Sequence, residues 1–363
     1  MPSESNQRIA KLTPLDGVFH KIDALAVPVK PRDCALEDAR GFVLAAGVQL
    51  AAARPASAIA LRDGFAVRAE DIADSGPYAP VKAKVQWVEA GGKMPDGMDA
   101  VIAPDAVNES DEVTAPAGAG EGVWPAGADG EKGMTLAQAG EQLRATDIAA
   151  LASFGVKTVS VRAPEILLVR AGSAKEDPAL SLLRRMIEAS GGEAKVARSL
   201  DEACGGESAD AIVVIGGSGQ GKSDASVTAL ARKGRVEIHG FGLQPGETAA
   251  LGMTGKRPVL VVPGRLDAAL AAFSVAGLRL VAKLAKRTRY IAQAPVTLSR
   301  KVSSQVGIAE FVPLARTGKD EAEPLASGTI PVSALARADG WLLVPAESEG
   351  YPAGTSVEMR LFP

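Results

Sequence analysis

The stretch DAIVVIGGSGQGKSDASVTALARKG, residues 210–234, decides how the chain reads. Ala211 to Ile215 is a short run of β-branched and apolar residues, the pattern of a buried strand. Four glycines follow between Gly216 and Gly221, and then a helical pattern opens at Ala225. Taken literally, Gly216, Gly221, Lys222 and Ser223 satisfy the phosphate-loop signature G-x-x-x-x-G-K-[ST]. Three readings compete: a nucleotide phosphate loop, a different anion-binding loop, and a purely structural turn. Glycines cost backbone entropy on folding, so this density exceeds what a turn needs. A glycine-rich loop ahead of a helix lets backbone amides and the helix dipole face an anion. A true phosphate loop also needs an acid at the end of a neighbouring strand to hold magnesium. The candidate strand, RPVLVVPG at 257–264, ends in Pro263 and Gly264 instead. The nucleotide-hydrolase reading therefore ranks below the anion-loop reading.

Outward from this loop, strands and helices alternate. EILLVRAG (165–172), AKVAR (194–198), AIVVIGG and RPVLVVPG read as strands, and DPALSLLRRMIEASGG (177–192) and ASVTALARKG (225–234) as helices. A long apolar helix follows from Leu266 to about Lys286. Such alternation predicts a parallel sheet covered on both faces, with ligands at the carboxyl ends of its strands. Turn-rich sequence with short apolar runs such as VKAKVQWV (81–88) and DAVIAP (99–104) predicts a small β-rich unit. APVTLSRKV, AEFVPLA, GWLLVPA and SVEMRLF, between 294 and 362, predict a second. LEDARGFVLAAGVQ (36–49) and TDIAALASFG (146–155) read as amphipathic helices. The expected fold is a multidomain α/β protein: a discontinuous helical linking domain (1–54 plus 131–162), a β-rich domain (55–130), a central doubly wound α/β domain (163–290) and a C-terminal β-barrel (291–363).

Composition bounds the function. The 363 residues are 47% hydrophobic and 23% charged, so most of the chain is globular. Forty basic residues against 43 acidic ones leave a net charge of -3 and no global positive field for nucleic acid. Cys34 and Cys204 have no partners at metal-ligand spacing, which fits two reduced thiols and a cytoplasmic location. The N-terminus lacks a secretory pattern, and the uncharged apolar runs at 41–53 and 268–278 are too short to cross a bilayer. His20 and His239 have no neighbours suggesting a dyad, and AKLAKRTR (282–289) reads as the solvated, cationic end of the long helix.

Several segments together resemble the molybdopterin molybdotransferase family, that is, MoeA proteins and the E domain of gephyrin. LRDGFAVRAEDI (61–72) is similar to that family's M-D-G-Y-A motif, and GGKMPDGMDAVIAPDAV (91–107) to its G-x-x-x-P-x-G-A-D-A-V segment. GADGEKGMTLAQAGEQLRATDIAALASFGVKTVSV (127–161) follows the G-E-D stretch and the helix after it. IGGSGQGKSD falls on the S-G-G-V-S-x-G-x-x-D loop, LQPGETAALG (243–252) on K-P-G-K-P, VVPGRLDAALAAF (261–273) on L-P-G-N-P, and RADGWLLVPAESEGYPAGTSVEMRLF (337–362) on the C-terminal barrel. The resemblance runs nearly the whole chain in order.

The resemblance implies a homodimeric transferase that binds adenylylated molybdopterin and, with molybdate and Mg2+, cleaves the pyrophosphate, releases AMP and leaves molybdenum on the dithiolene. It implies further partners, a molybdoenzyme or another cofactor-biosynthesis protein. By position, Asp63, Asp129 and Asp224 become the catalytic acids, with Asp63 and Asp224 as metal ligands. Read alone, Asp63 is a hairpin-turn residue, Asp129 a loop residue capping EKGM, and Asp224 an N-cap. Gly216, Gly217, Ser218, Gly219, Gly221, Lys222, Pro245, Gly246, Pro263, Gly264 and Arg265 become the binding residues. Departures from the pattern fall in the same places. Gln244 and Glu247 replace two lysines, Ser173 and Ala174 replace an acidic pair, and Arg265 replaces an asparagine. Arg265 and Lys222 are the candidate replacement cations, and Glu176 or Asp177 the candidate replacement acids. The alternative is a protein that binds a molybdopterin species without converting it.

Overall fold

The computed structural model describes residues 7–172, 177–206, 209–288 and 291–363. They form two compact units, one of residues 1–46, 139–149 and 157–363, the other of residues 47–138 and 150–156.

The larger unit is built on a six-stranded sheet. After the helix α1 (Leu15–Leu25) come β1 (Glu165–Arg170), α2 (Pro178–Ala189), β2 (Glu193–Ala197), α3 (Leu200–Gly205), β3 (Ala211–Ile215), α4 (Ser226–Lys233), β4 (Arg235–His239), β5 (Ala250–Thr254) and β6 (Arg257–Val262). A run of 20 helical residues, α5 (Leu266–Ala285), completes the layer, with a π turn at Phe273–Gly277. The strand order is β2-β1-β3-β6-β5-β4. The first four strands are parallel, as expected from their alternation with helices. The last two pairings correct that expectation, because β5 runs antiparallel to both β6 and β4. Thr254 and Arg257 pair across a two-residue turn at Gly255 and Lys256, too short for a helical crossover.

Alternate residues of each central strand feed two separate cores, as period-two geometry requires. Val213, Ile215, Leu260 and Val262 pack with Val18 and Ile22 of α1, Leu183 and Ile187 of α2, and α5. Ile212, Val214, Val259 and Val261 pack on the opposite face with Ala203, Val227 and Leu230. The sheet is thus covered on both sides, the doubly wound arrangement the sequence predicts. Helix starts are chemically marked: Asp177 accepts hydrogen bonds from the Ala179 and Leu180 amides ahead of Pro178, and Ser199 accepts one from Glu202. The helix α5 is long and apolar enough to span a bilayer, with mean hydropathy 1.6, but 89% of its apolar 18-residue window is buried, so it is a core helix.

The C-terminal strands are β7 (Gln293–Leu298), β8 (Ala309–Arg316), β9 (Glu321–Pro324), β10 (Gly340–Val344) and β11 (Ser356–Leu361). Pairings β8–β9, β9–β7, β7–β11, β11–β10 and β10–β8 close a five-stranded ring around Val296, Val312, Leu314, Leu342 and Met359. The short strand Leu243–Gln244 adds in parallel to β8, tying the loop after β4 to the barrel.

Residues 36–49 correct the sequence reading. In place of an amphipathic helix there is one 3-10 turn, Leu36–Asp38, followed by two short strands. Val43–Leu44 and Arg32–Ala35 both pair with Thr158–Arg162, so distant chain supplies the hydrogen bonds that a local helix would have made. Gly41, at φ +88, breaks the helical path. The helix read at 146–155 is present as Ala145–Ser153.

The smaller unit is β-rich. Gln86–Val88, Gly64–Val67 and Ala100–Ile102 form a three-stranded antiparallel sheet over Val67, Ile72, Ala100, Ile102 and Val113. Ile59–Ala60 pairs with Val123–Trp124, and Val48–Gln49 with Thr135–Ala137.

Candidate functional site

The strand order reverses between β1 and β3, because the chain passes left to β2 and then right to β3. Open α/β sheets bind ligands at such a point, outside the carboxyl ends of the strands. A cavity of about 310 Å³ lies there, lined by Arg170, Gly172, Arg198, Gly217, Ser223 and Ser226 among others. Arg170 fastens its rim, pairing with Asp177 and donating to the backbone oxygens of Ala171 and Ile215.

Three loops from the sequence prediction meet beside it. The Gly216 amide donates to Val262 O at 2.9 Å. A Cβ on Gly264 would lie 3.2 Å from the Gly216 Cα, so the Gly loop and the Pro263–Gly264–Arg265 loop touch backbone to backbone. Ser218 Oγ lies 3.0 Å from Thr248 Oγ1, which brings in the Pro245–Gly246–Glu247 loop. Gly216 and Gly217 adopt φ +91 and +67, and a Cβ on Gly217 would lie 2.3 Å from Ser226 Oγ. Glycine is required at 217 on both counts.

The N-terminus of α4 is capped by a residue from the other end of the chain. Gln7 Oε1 accepts from the Val227 and Thr228 amides, both at 3.1 Å. Its Nε2 donates to Gly217 O at 2.8 Å and Gly219 O at 2.7 Å. One buried carboxamide thus satisfies two orphan helix amides and clamps two carbonyls of the Gly loop. This corrects the assignment of Asp224 as the N-cap. The helix starts at Ser226, Ala225 occupies the cap position, and Asp224 Oδ2 instead accepts from the Gly221 amide at 2.8 Å, closing the loop on itself. No sequence signal pointed to Gln7, because its partners lie more than 200 positions away.

Charge at the site also differs from expectation. Arg265 was the candidate replacement cation, but it donates from Nε and Nη2 to both oxygens of Asp267, at 2.8 and 3.0 Å. Hydrogen bonding to buried Asp267 holds the guanidinium above its ordinary range, with Glu247 adding to the effect. Asp267 also accepts from the Ile330 amide at 3.3 Å. Glu247 Oε2 accepts from the Gly246 amide at 3.0 Å, and Gln244 precedes Pro245 through a cis peptide. Lys222 is exposed. Ser218 is buried, and its carbonyl lies 2.9 Å from His239 Nε2, giving that histidine a structural role. His20 is exposed, and both cysteines are free. Asp177 is spoken for as cap and ion-pair partner, while Ser173, Ala174 and Glu176 lie outside the described residues.

Asp63 and Asp129 belong to the smaller unit, and both are exposed. Asp63 Oδ1 accepts from the Ala90 amide at 2.8 Å, which ties its turn to the strand Gln86–Val88. Asp129 Oδ1 accepts from the Trp124 indole at 2.9 Å rather than capping the residues after it. Among the described residues no three His, Cys, Asp or Glu side chains converge to hold a metal.

Comparison with known proteins decides the family. Residues 8–155 match the MoeA N-terminal region (domain I and II), and residues 295–362 the MoeA C-terminal region (domain IV), together more than half of the chain. The chain belongs to the MoeA family. A molybdopterin biosynthesis protein of Methanocaldococcus jannaschii is 25% identical over 349 residues, covering 83% of this chain and 85% of that one. The solved molybdopterin biosynthesis MoeA protein of Pyrococcus horikoshii matches 97% of this chain and 100% of its own, at 25% identity and a TM-score of 0.74. A second structure of the MoeA protein, from the OT3 strain of that organism, matches the same shares at 23% identity and a TM-score of 0.76, a likeness of fold. The α/β region between the two family matches carries the crevice, and this MoeA-family chain holds its glycine loop there at the end of β3.

Proposed function

We propose that this MoeA-family chain acts in molybdenum cofactor biosynthesis, binding adenylylated molybdopterin in the crevice at the carboxyl ends of β1, β3 and β6. With molybdate as substrate and Mg2+, it cleaves the phosphoanhydride, releases AMP and leaves molybdenum on the dithiolene. The observation that carries this reading is the meeting of three loops at the point where strand order reverses, with Gly216 against Gly264 and Ser218 against Thr248. A glycine-rich loop ahead of a helix can turn backbone amides toward a ligand, which suits a phosphate. Mg2+ commonly takes one or two carboxylates and completes its shell with phosphate oxygens and water. Asp224 would supply the carboxylate from this unit, and the ion would neutralise pyrophosphate charge. Lys222 would face the phosphates from the same loop.

The proposed protein is a cytoplasmic homodimer of four domains per chain, with boundaries at 1–54 plus 131–162, 55–130, 163–290 and 291–363. Asp63 and Asp129 would come to each crevice from the second subunit, and the product would pass to a molybdoenzyme or another cofactor-biosynthesis protein. The test is direct: incubate the purified protein with adenylylated molybdopterin, molybdate and Mg2+ and measure AMP. Release at catalytic turnover supports the reading.

A second reading is a binder that does not turn over. It is favoured by the pairing of Arg265 with Asp267 and by Glu247 standing in place of a lysine. Phosphoryl chemistry relies on positioned positive charge, and losing one such group can cost on the order of 10²–10³ in rate. Stoichiometric binding of the adenylylated pterin without AMP release would select it. The phosphate-loop hydrolase ranks third, since β6 ends at Val262 and Pro263 with no acid for magnesium.

A further inference from the structure

The sequence AKLAKRTR reads as cations splayed into water at a helix end, but the structure sets Lys283, Lys286 and Arg287 at the wall of a cavity. About 480 Å³ of space lies between the end of α1 and the end of α5, lined by Asp23, Arg279, Lys283, Lys286, Arg287 and Thr288 among others. Four cations therefore face one carboxylate. Asp23 accepts from Arg279 at 2.9 and 2.6 Å and pairs with Lys283 at 3.2 Å, which leaves positive charge in excess. The Arg279 guanidinium is also held over the Phe19 ring, 5.0 Å from its centroid.

Arg287 supplies the independent observation. Its Nε is buried and has no hydrogen-bond partner among the described residues. Burial without a compensating carboxylate pulls this guanidinium below its ordinary range. A buried donor left unpaired costs stability, and native structures retain few of them. The backbone around it is fixed: the Arg287 amide donates to Ala282 O at 2.8 Å, and the Thr288 amide donates to Gly140 O at 3.1 Å. The cations thus sit on hydrogen-bonded backbone at the end of α5.

We propose that this cavity is a binding site for a small phosphate-type oxyanion, with diphosphates as the class it fits best. Arginine and lysine are the residue types that bind such groups through short charge-assisted hydrogen bonds. The volume falls in the range of small-molecule sites. The cavity is separate from the glycine-loop crevice. It sits at the carboxyl end of α5, whereas Arg265 adjoins the amino end, and 20 helical residues span about 30 Å.

The experiment is calorimetric titration of the full-length protein with inorganic pyrophosphate, with AMP as a second arm. Saturable pyrophosphate binding is expected. It should weaken at least about tenfold in Lys283→Ala/Lys286→Ala and in Arg287→Ala, the loss expected for one charge-assisted contact. It should tighten in Asp23→Asn and persist in Lys222→Ala. If Arg287→Ala does not fold, the exposed lysine pair carries the test alone. Absence of saturable binding overturns the proposal. So does equal affinity in the lysine double variant, or loss of binding in Lys222→Ala, which would assign the anion to the glycine loop. AMP binding that survives the lysine substitutions while pyrophosphate binding fails keeps the two sites distinct and supports the proposal.

Discussion

Gln7 caps Val227 across 220 positions of sequence, its side-chain oxygen 3.1 Å from the amide that opens the helix Ser226–Lys233. The same side chain pins the carbonyls of Gly217 and Gly219. Replacing it with alanine should cost about 1 kcal/mol, the usual loss on removing a helix cap. The check is chemical denaturation together with hydrogen exchange. The Val227 and Thr228 amides should lose protection more than the core amides of β3.

The pairing of Arg265 with Asp267 predicts that the site can be recharged by removing its own acid. Asp267→Asn weakens a buried acceptor of two guanidinium bonds and of the Ile330 amide. Stability should fall by about 1–3 kcal/mol. Arg265, freed of its partner, should bind phosphate esters more tightly in the crevice, so AMP affinity measured by titration should rise several-fold relative to the native protein.

Gly217→Ala places a methyl group 2.3 Å from Ser226 Oγ at a φ of +67. Strain of this kind costs about 1–3 kcal/mol. The variant should keep its β sheet by circular dichroism, melt earlier, and lose affinity for the adenylylated pterin. Full affinity in a well-folded variant would remove the Gly loop from the binding site.

Acid should act on Asp23. Burial raises its pKa, but hydrogen bonds from Arg279 and Lys283 outweigh burial and bring it below the ordinary carboxylate value. The carboxylate is the form that the folded state stabilises. Its contribution is therefore fully present above the unfolded value, about pH 3.9, and is lost as pH falls through the lower folded value. Asp23→Asn should be less stable than the native protein near neutrality and converge with it only once the pH has fallen below the lowered folded value. Denaturation midpoints against pH give the comparison.

How much of this was legible depends on where each element finds its hydrogen bonds. The strands Glu165–Arg170, Ala211–Ile215 and Arg257–Val262 announce themselves because burial on both faces demands continuous apolar runs. The glycines of the loop are legible because their backbone geometry admits little else. The edge strand Arg235–His239 and its neighbour Ala250–Thr254 carry weaker patterns, and a two-residue turn sets Ala250–Thr254 antiparallel to Arg257–Val262. Residues 36–49 have helical periodicity, yet Val43–Leu44 joins a strand more than 100 residues later. Local propensity is a weak prior against such pairing. The charges of the site were legible as residue types but not as partnerships. Asp267 stands two positions from Arg265, and only the fold shows that it takes both guanidinium bonds.

The helix Leu15–Leu25 buries Leu15, Val18 and Ile22 against a sheet whose first strand begins at Glu165. Synthesis runs from the amino end, so the ribosome releases this helix well before the surface that will receive it. The intervening unit, most of it residues 47–138, can fold in that interval, while the apolar face of the first helix waits exposed. Newly made chains stalled before Glu165 should therefore be the species most prone to chaperone capture and to self-association.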